Sequence, residues 1–157
     1  MIAVFAIFGI LVIIGIFAGV MVAISSAKQS DRAGKLRMLA QQWGFYFTEN
    51  PVVPDFLRNT RFTQSGVGMG VKMHNLIQGN VNGTPVFIFD WGYNSHYGGR
   101  VSSTHRQTVV CIPLGMNQPF SFFQDNQIVP PENIQMFINQ ALNAYQYQMS
   151  GGSQQFR

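Results

Sequence analysis

Three histidines, one cysteine and six carboxylates are the side chains of this 157-residue chain that could hold a metal or move a proton. His74, His96 and His105 stand at no spacing that places two of them on one helical or turn face, and carboxylate and thiolate neighbours are scarce, so no metal is expected. Cys111 lies in Val109-Val110-Cys111-Ile112, an apolar setting in which a thiol loses reactivity, and no Gly-x-Ser-x-Gly occurs. Asp31, Glu49, Asp55, Asp90, Asp125 and Glu132 are too dispersed to read as an acid/base pair. Gly66-Val67-Gly68-Met69-Gly70 lacks the Lys-Ser/Thr of a phosphate loop and opens no helix. The expectation is a protein without catalytic activity and without a cofactor.

One stretch has the composition of a contact site. Asp90-Trp91-Gly92-Tyr93-Asn94-Ser95-His96-Tyr97-Gly98-Gly99-Arg100 gathers aromatic and basic anchors between glycines, and such anchors dominate protein interfaces. Trp91, Tyr93, His96, Tyr97 and Arg100 are the candidate contact residues, on a loop expected over Gly92–Gly99. The competing reading is a hairpin loop whose aromatic rings fold back onto the sheet; the residues alone leave both open.

The elements that must position these residues begin with a membrane span. Ile2–Ile24 contains no charged, amide or hydroxyl side chain, and as a helix it reaches about 34 Å, enough to cross a hydrocarbon core of about 30 Å. Fifteen of its residues are Ile, Val, Leu or Phe, which together favour insertion by roughly 5 to 9 kcal/mol. Ser25-Ser26-Ala27 imitates a signal-peptide cleavage site, but nothing basic precedes the apolar run and the run is too long for a signal peptide. Lys28, Arg32, Lys35 and Arg37 follow the span closely, which places the N-terminus outside and the rest of the chain in the cytoplasm of an inner-membrane protein. Gly15, Gly19 and Ala23 form a small-residue ladder suited to close packing against another membrane subunit, although glycine is also simply frequent in such helices.

The net charge of +4 gathers near the membrane junction and suits anionic headgroups; no basic stripe points to nucleic acid. A lone cysteine excludes an intrachain disulfide and agrees with a reducing compartment.

After the span, residues 28–44 read as a juxtamembrane amphipathic helix, with Leu36, Leu39, Ala40 and Trp43 on one face and Gly44 as its stop. Residues 45–148 read as one α+β domain and 149–157 as a flexible tail. Phe45–Thr48 is a first strand, Asp55–Arg58 a helical turn, and Asn82-Gly83 between two strand-like runs predicts a type I′ hairpin. Val86–Phe89 is apolar without alternation, hence central and covered on both faces. Ser103–Leu114 and Phe120–Phe122 continue an antiparallel meander. A last helix starts at Pro130-Pro131-Glu132 and carries Ile134, Phe137, Ile138, Ala141, Leu142 and Tyr145 on its sheet-facing stripe.

Arg37-Met38-Leu39-Ala40 with Trp43-Gly44-Phe45, His74-Asn75-Leu76-Ile77-Gln78-Gly79, Val86-Phe87-Ile88-Phe89-Asp90-Trp91 and Gln107-Thr108-Val109 resemble, in order and type, blocks of a loosely defined set of uncharacterised bacterial proteins. The resemblance covers about Arg37–Pro119, and it implies a membrane anchor before a small α+β domain, with no activity attached. The functional expectation is therefore a non-catalytic, single-pass accessory or scaffold subunit of a bacterial membrane complex, of the kind respiratory and photosynthetic assemblies recruit. A membrane-tethered ligand-binding or regulatory domain, and an enzyme built on Asp90, His96 and His105, are the alternatives.

Overall fold

The structure is a computed structural model that describes residues 27–57, 72–97, 100–114, 119–124 and 126–151, and for 94–97 and 100–104 the backbone alone. The expected span, its Gly15, Gly19, Ala23 ladder, the Gly66–Gly70 run and the tail beyond Gly151 lie outside the described residues. No helix among the described residues is long and apolar enough to cross a membrane. The chain divides into two compact units, Met1–Lys35 and Leu36–Arg157.

Residues 27–42 are helical (α1). In the first unit Lys35 Nζ lies 2.8 Å from Asp31 Oδ2, one turn earlier on the exposed surface. In the second, Leu36 and Ala40 are buried in the domain core, with Leu39 and Trp43 packed against it. The helix stops where the sequence places a glycine. Gly44 takes φ 69°, its N–H donates to Gln41 O, and Phe45 N–H donates to Ala40 O, the paired bonds of a Schellman cap.

Among the described residues five strands follow as an antiparallel meander in sheet order 1-2-3-4-5: β1 Tyr46–Thr48, β2 Lys72–Val81, β3 Thr84–Tyr97, β4 Arg100–Ile112 and β5 Phe120–Phe123. A 3-10 turn, Asp55–Leu57, lies between β1 and β2. Asn82 and Gly83 take φ 50° and 84°, the two left-handed residues a type I′ turn requires, and they set the β2–β3 register with Val81 opposite Thr84. A second 3-10 turn, Pro131–Asn133, leads into α2, Ile134–Met149.

Strand β3 is central, and its alternation divides the core in two. Val86 and Ile88 join Ile77, Val110 and Ile112 on the face covered by Leu36 and Ala40 of α1 and by Ile134, Phe137, Ile138 and Ala141 of α2. Phe89 and Trp91 join Met73, Leu76, Val109 and Cys111 on the other face, against Leu57 and the partly buried Val53 and Phe56. Each fully buried Leu, Ile or Phe contributes about 1.5 to 3 kcal/mol. The apolar run in β3 thus has its cause in two covered faces.

Of the loop expected over Gly92–Gly99, residues 92–97 are instead strand. β3 stays paired with β4 through Asn94, Ser95 and His96 to the closing pair Tyr97 and Arg100, with a register shift at Ser95/His96. Local glycine content pointed to a loop, but the backbone of Gly92 is flanked on both sides, by Lys72 of β2 and by Arg106 of β4. Non-local pairing overrides the local signal.

Candidate functional site

The row of residues just beyond the helix-side core is polar and buried. Asp90 follows Val86 and Ile88 at the two-residue period, so its carboxylate falls on the same face, opposite His74 on one side and Thr108 on the other. Its charge is met by donors: Asn75 Nδ2 donates to Asp90 Oδ2 and Thr108 Oγ1 to Asp90 Oδ1, both at 2.9 Å. Thr108 Oγ1 in turn accepts from the Val129 N–H at 3.0 Å, and Thr108 N–H donates to Gln127 O at 2.9 Å. One carboxylate therefore ties β2, β3, β4 and the segment leading to α2.

Asn75 reaches Asp90 because β2 is bulged between His74 and Ile77, with Asn75 at φ 54°, a left-handed conformation that asparagine tolerates. Its own N–H donates to Glu49 O at 2.8 Å. Asn75 Oδ1 is buried without a hydrogen-bond partner among the described residues.

His74, half-buried beside this row, donates from Nδ1 to Asn50 Oδ1 at 3.0 Å. Burial lowers its pKa below 6.5, Arg106 and Lys72 lower it further, and Asp90 and Glu49 pull weakly the other way. One row outward, Lys72, Gly92 and Arg106 stand side by side across three strands on the same face. Both cations are exposed, and among the described residues neither makes an ion pair.

The opposite face carries different groups. Trp91 is 1% exposed between Met73 and Gln107, sharing the inward position of Phe89. This corrects its place among the contact residues: strand alternation sends it into the second core. Tyr93 is half-buried and stacks on His105 at 4.7 Å and 14°, while His105 Nδ1 donates to Asn126 Oδ1 at 2.6 Å. Of the other contact candidates, His96, Tyr97 and Arg100 are placed by backbone register at the distal end of the β3–β4 hairpin.

The catalytic alternative required Asp90 and His105 to meet, and the register keeps them apart. His105 is opposite Tyr93 and Thr108 is opposite Asp90; three residues along one strand put His105 and Thr108 on opposite faces of the sheet. His74 and His105 are separated in the same way. Among the described residues no three His, Cys, Asp or Glu side chains gather as metal ligands. Cys111 is buried in the second core, where burial pushes its thiol up to about 12 against a small opposing effect of the Ser121 hydroxyl.

Two of the four basic residues between Lys28 and Arg37 are engaged with acids. Lys35 pairs with Asp31, and Arg37 Nη2 lies 3.2 Å from Glu49 Oε2 with its guanidinium 5.3 Å from the centre of the Phe47 ring. Lys28 is exposed and Arg32 half-buried. Asn75, Thr108, Lys72 and Arg106 carry no site signal in the sequence. The one local signal for the network was an acid, Asp90, closing a four-residue apolar run in a strand that both neighbours cover.

Compared with models of protein families, with curated proteins and with solved structures, the chain finds no match.

Proposed function

We propose that this chain is a non-catalytic, single-pass accessory or scaffold subunit of a bacterial membrane protein complex. The observation that carries the reading is the uncharged Ile2–Ile24 run with four basic residues in the thirteen positions after it, Lys28, Arg32, Lys35 and Arg37. In this reading the run is a permanent anchor whose Gly15, Gly19 and Ala23 ladder packs against an integral membrane subunit, and the basic residues meet anionic headgroups. The N-terminus lies outside the inner membrane and the α+β domain at its cytoplasmic face.

Two features of the domain support a docking rather than a reacting role. Asp90, the acid best placed for chemistry, has both oxygens engaged in hydrogen bonds that join strands. Cys111 sits where a thiolate is strongly disfavoured. The bacterial setting rests on the resemblance over Arg37–Pro119.

The test is extraction of the tagged full chain from its native membranes with a mild detergent, followed by identification of co-purifying proteins and sequencing of its N-terminus. Stoichiometric membrane subunits are expected, and their loss in the Gly15→Leu/Gly19→Leu double variant. A protein that migrates alone, or a mature chain that begins near Lys28 and partitions away from the bilayer, overturns the reading.

A further inference from the structure

A glycine in the interior of a central strand calls for a reason, because it forfeits side-chain packing and costs backbone entropy. At Gly92 neither conformation nor space supplies one. Its φ is not in the left-handed region, and an added Cβ would meet His105 O at 3.7 Å, Arg106 Cγ at 3.8 Å and Lys72 O at 3.9 Å, all ordinary contacts. What glycine does here is leave the face open between its two neighbours. Lys72 and Arg106 are both directly opposite Gly92, on β2 and β4, so their backbones lie two strand spacings apart, roughly 9.5 Å, and the strand between them contributes no side chain there, only the Arg106 stem leaning over the position from β4.

We propose that Lys72, Gly92 and Arg106 form a phosphate-binding site on the outer end of the helix-side face. The gap suits an oxyanion held from two sides by charge-assisted hydrogen bonds of about 2.8 Å. A tetrahedral phosphate presents oxygens to both walls at once and carries the charge that two cations match.

The surrounding charges are consistent with this placement. His74 lies on the same face one row further in and is within the electrostatic reach of both cations. The acid in the adjoining row, Asp90, faces the donors Asn75 Nδ2 and Thr108 Oγ1, and neither Lys72 nor Arg106 pairs with a carboxylate among the described residues. The inference stands on sheet register within Leu36–Arg157 and does not depend on the membrane anchor. The phosphate can belong to a soluble ligand or to a lipid headgroup, and the experiment separates the two.

The full chain in nanodiscs of zwitterionic lipid is titrated with inorganic phosphate while the Gly92 amide and the His74 ring proton are followed by NMR. Saturable shifts are expected, together with a rise in the pH at which His74 titrates, since the anion offsets Lys72 and Arg106 while Asp90 and Glu49 stay in place. Lys72→Gln and Arg106→Gln should each weaken binding about tenfold. Gly92→Val, which fills the gap, should weaken it at least as much with no loss of unfolding midpoint, so that blocking is separable from misfolding. If inorganic phosphate is inert but phosphatidylglycerol in the nanodisc shifts the same two signals in the parent and not in Gly92→Val, the ligand is a headgroup. Silence in both arms, or variants that bind like the parent, overturns the site.

Discussion

Asn75 Nδ2 donates to Asp90 Oδ2 across 2.9 Å from a bulge in the neighbouring strand, and the bulge exists because Asn75 holds φ 54°. The contact couples a backbone irregularity to a buried charge. A regular strand would have carried the residue after His74 to the other face, leaving one oxygen of Asp90 without this donor inside the protein.

Replacement of Asp90 should therefore act on the whole sheet. Asp90→Ala strands two buried donors, Asn75 Nδ2 and Thr108 Oγ1, and is expected to destabilise the fold by about 3 kcal/mol. Asp90→Asn keeps one acceptor and should cost roughly half as much. Thr108→Val removes the acceptor of the Val129 N–H and should cost about 1 to 2 kcal/mol. Urea unfolding of the detergent-solubilised chain, followed by near-UV circular dichroism, measures all three. A change under about 0.5 kcal/mol for Asp90→Ala, the range of an ordinary surface substitution, would contradict the network's role.

Gly79 is required for a reason unlike that of Gly92. A Cβ at position 79 would collide with the ring of Phe45, which follows the Gly44 cap and packs against the helix-side core. Gly79→Ala is expected to destabilise by about 1 to 3 kcal/mol through overpacking. Phe45→Ala alone costs apolar burial, but combined with Gly79→Ala it should lose less than the sum of the two single changes, because the collision has gone. A double-mutant cycle on unfolding free energies checks this; simple additivity would mean that the ring swings aside at no cost.

The fold was legible wherever local chemistry decides structure. Asn82-Gly83 set a turn, Pro131 opened a helix, Gly44 closed one, and the stripe from Ile134 to Tyr145 marked the face that meets the sheet. What escaped notice depends on residues far apart in the chain. Gly92 looked like loop because its partners Lys72 and Arg106 are invisible until strands are registered. Trp91 looked like a surface anchor because only alternation with Phe89 sends it inward. The Asp90 network was illegible for the same reason: its donors come from a bulge in β2 and from mid-β4, and neither Asn75 nor Thr108 stands out in its own segment.

Cys111 offers a check on burial that needs no mutation. With its thiol pushed up to about 12 by burial, only about one molecule in ten thousand is thiolate at pH 8. The folded chain should react with an aromatic disulfide reagent only through opening of the second core, so labelling should accelerate by orders of magnitude once urea unfolds it. Labelling of the folded chain as fast as a free thiol would place Cys111 at the surface and contradict its position among Phe89, Trp91 and Val109.

His74 makes stability depend on pH in a direction that can be worked out. Its pKa in the folded chain lies below the ordinary 6.5, because burial and the cations Arg106 and Lys72 outweigh Asp90 and Glu49. Between those two values the unfolded chain binds the proton more readily than the folded one, so unfolding takes up protons and stability rises with pH. The stabilisation is complete above about pH 6.5 and is lost progressively as pH falls through that value to the folded pKa, below which this residue adds no further slope. His74→Gln, which keeps a donor within reach of Asn50 and cannot be protonated, should flatten the unfolding free energy in the interval just below about pH 6.5 while leaving the carboxylate-driven fall at lower pH. Unfolding curves of parent and variant across that range decide it, and identical slopes would mean that His74 titrates as it does in water, with neither burial nor the flanking cations acting on its ring.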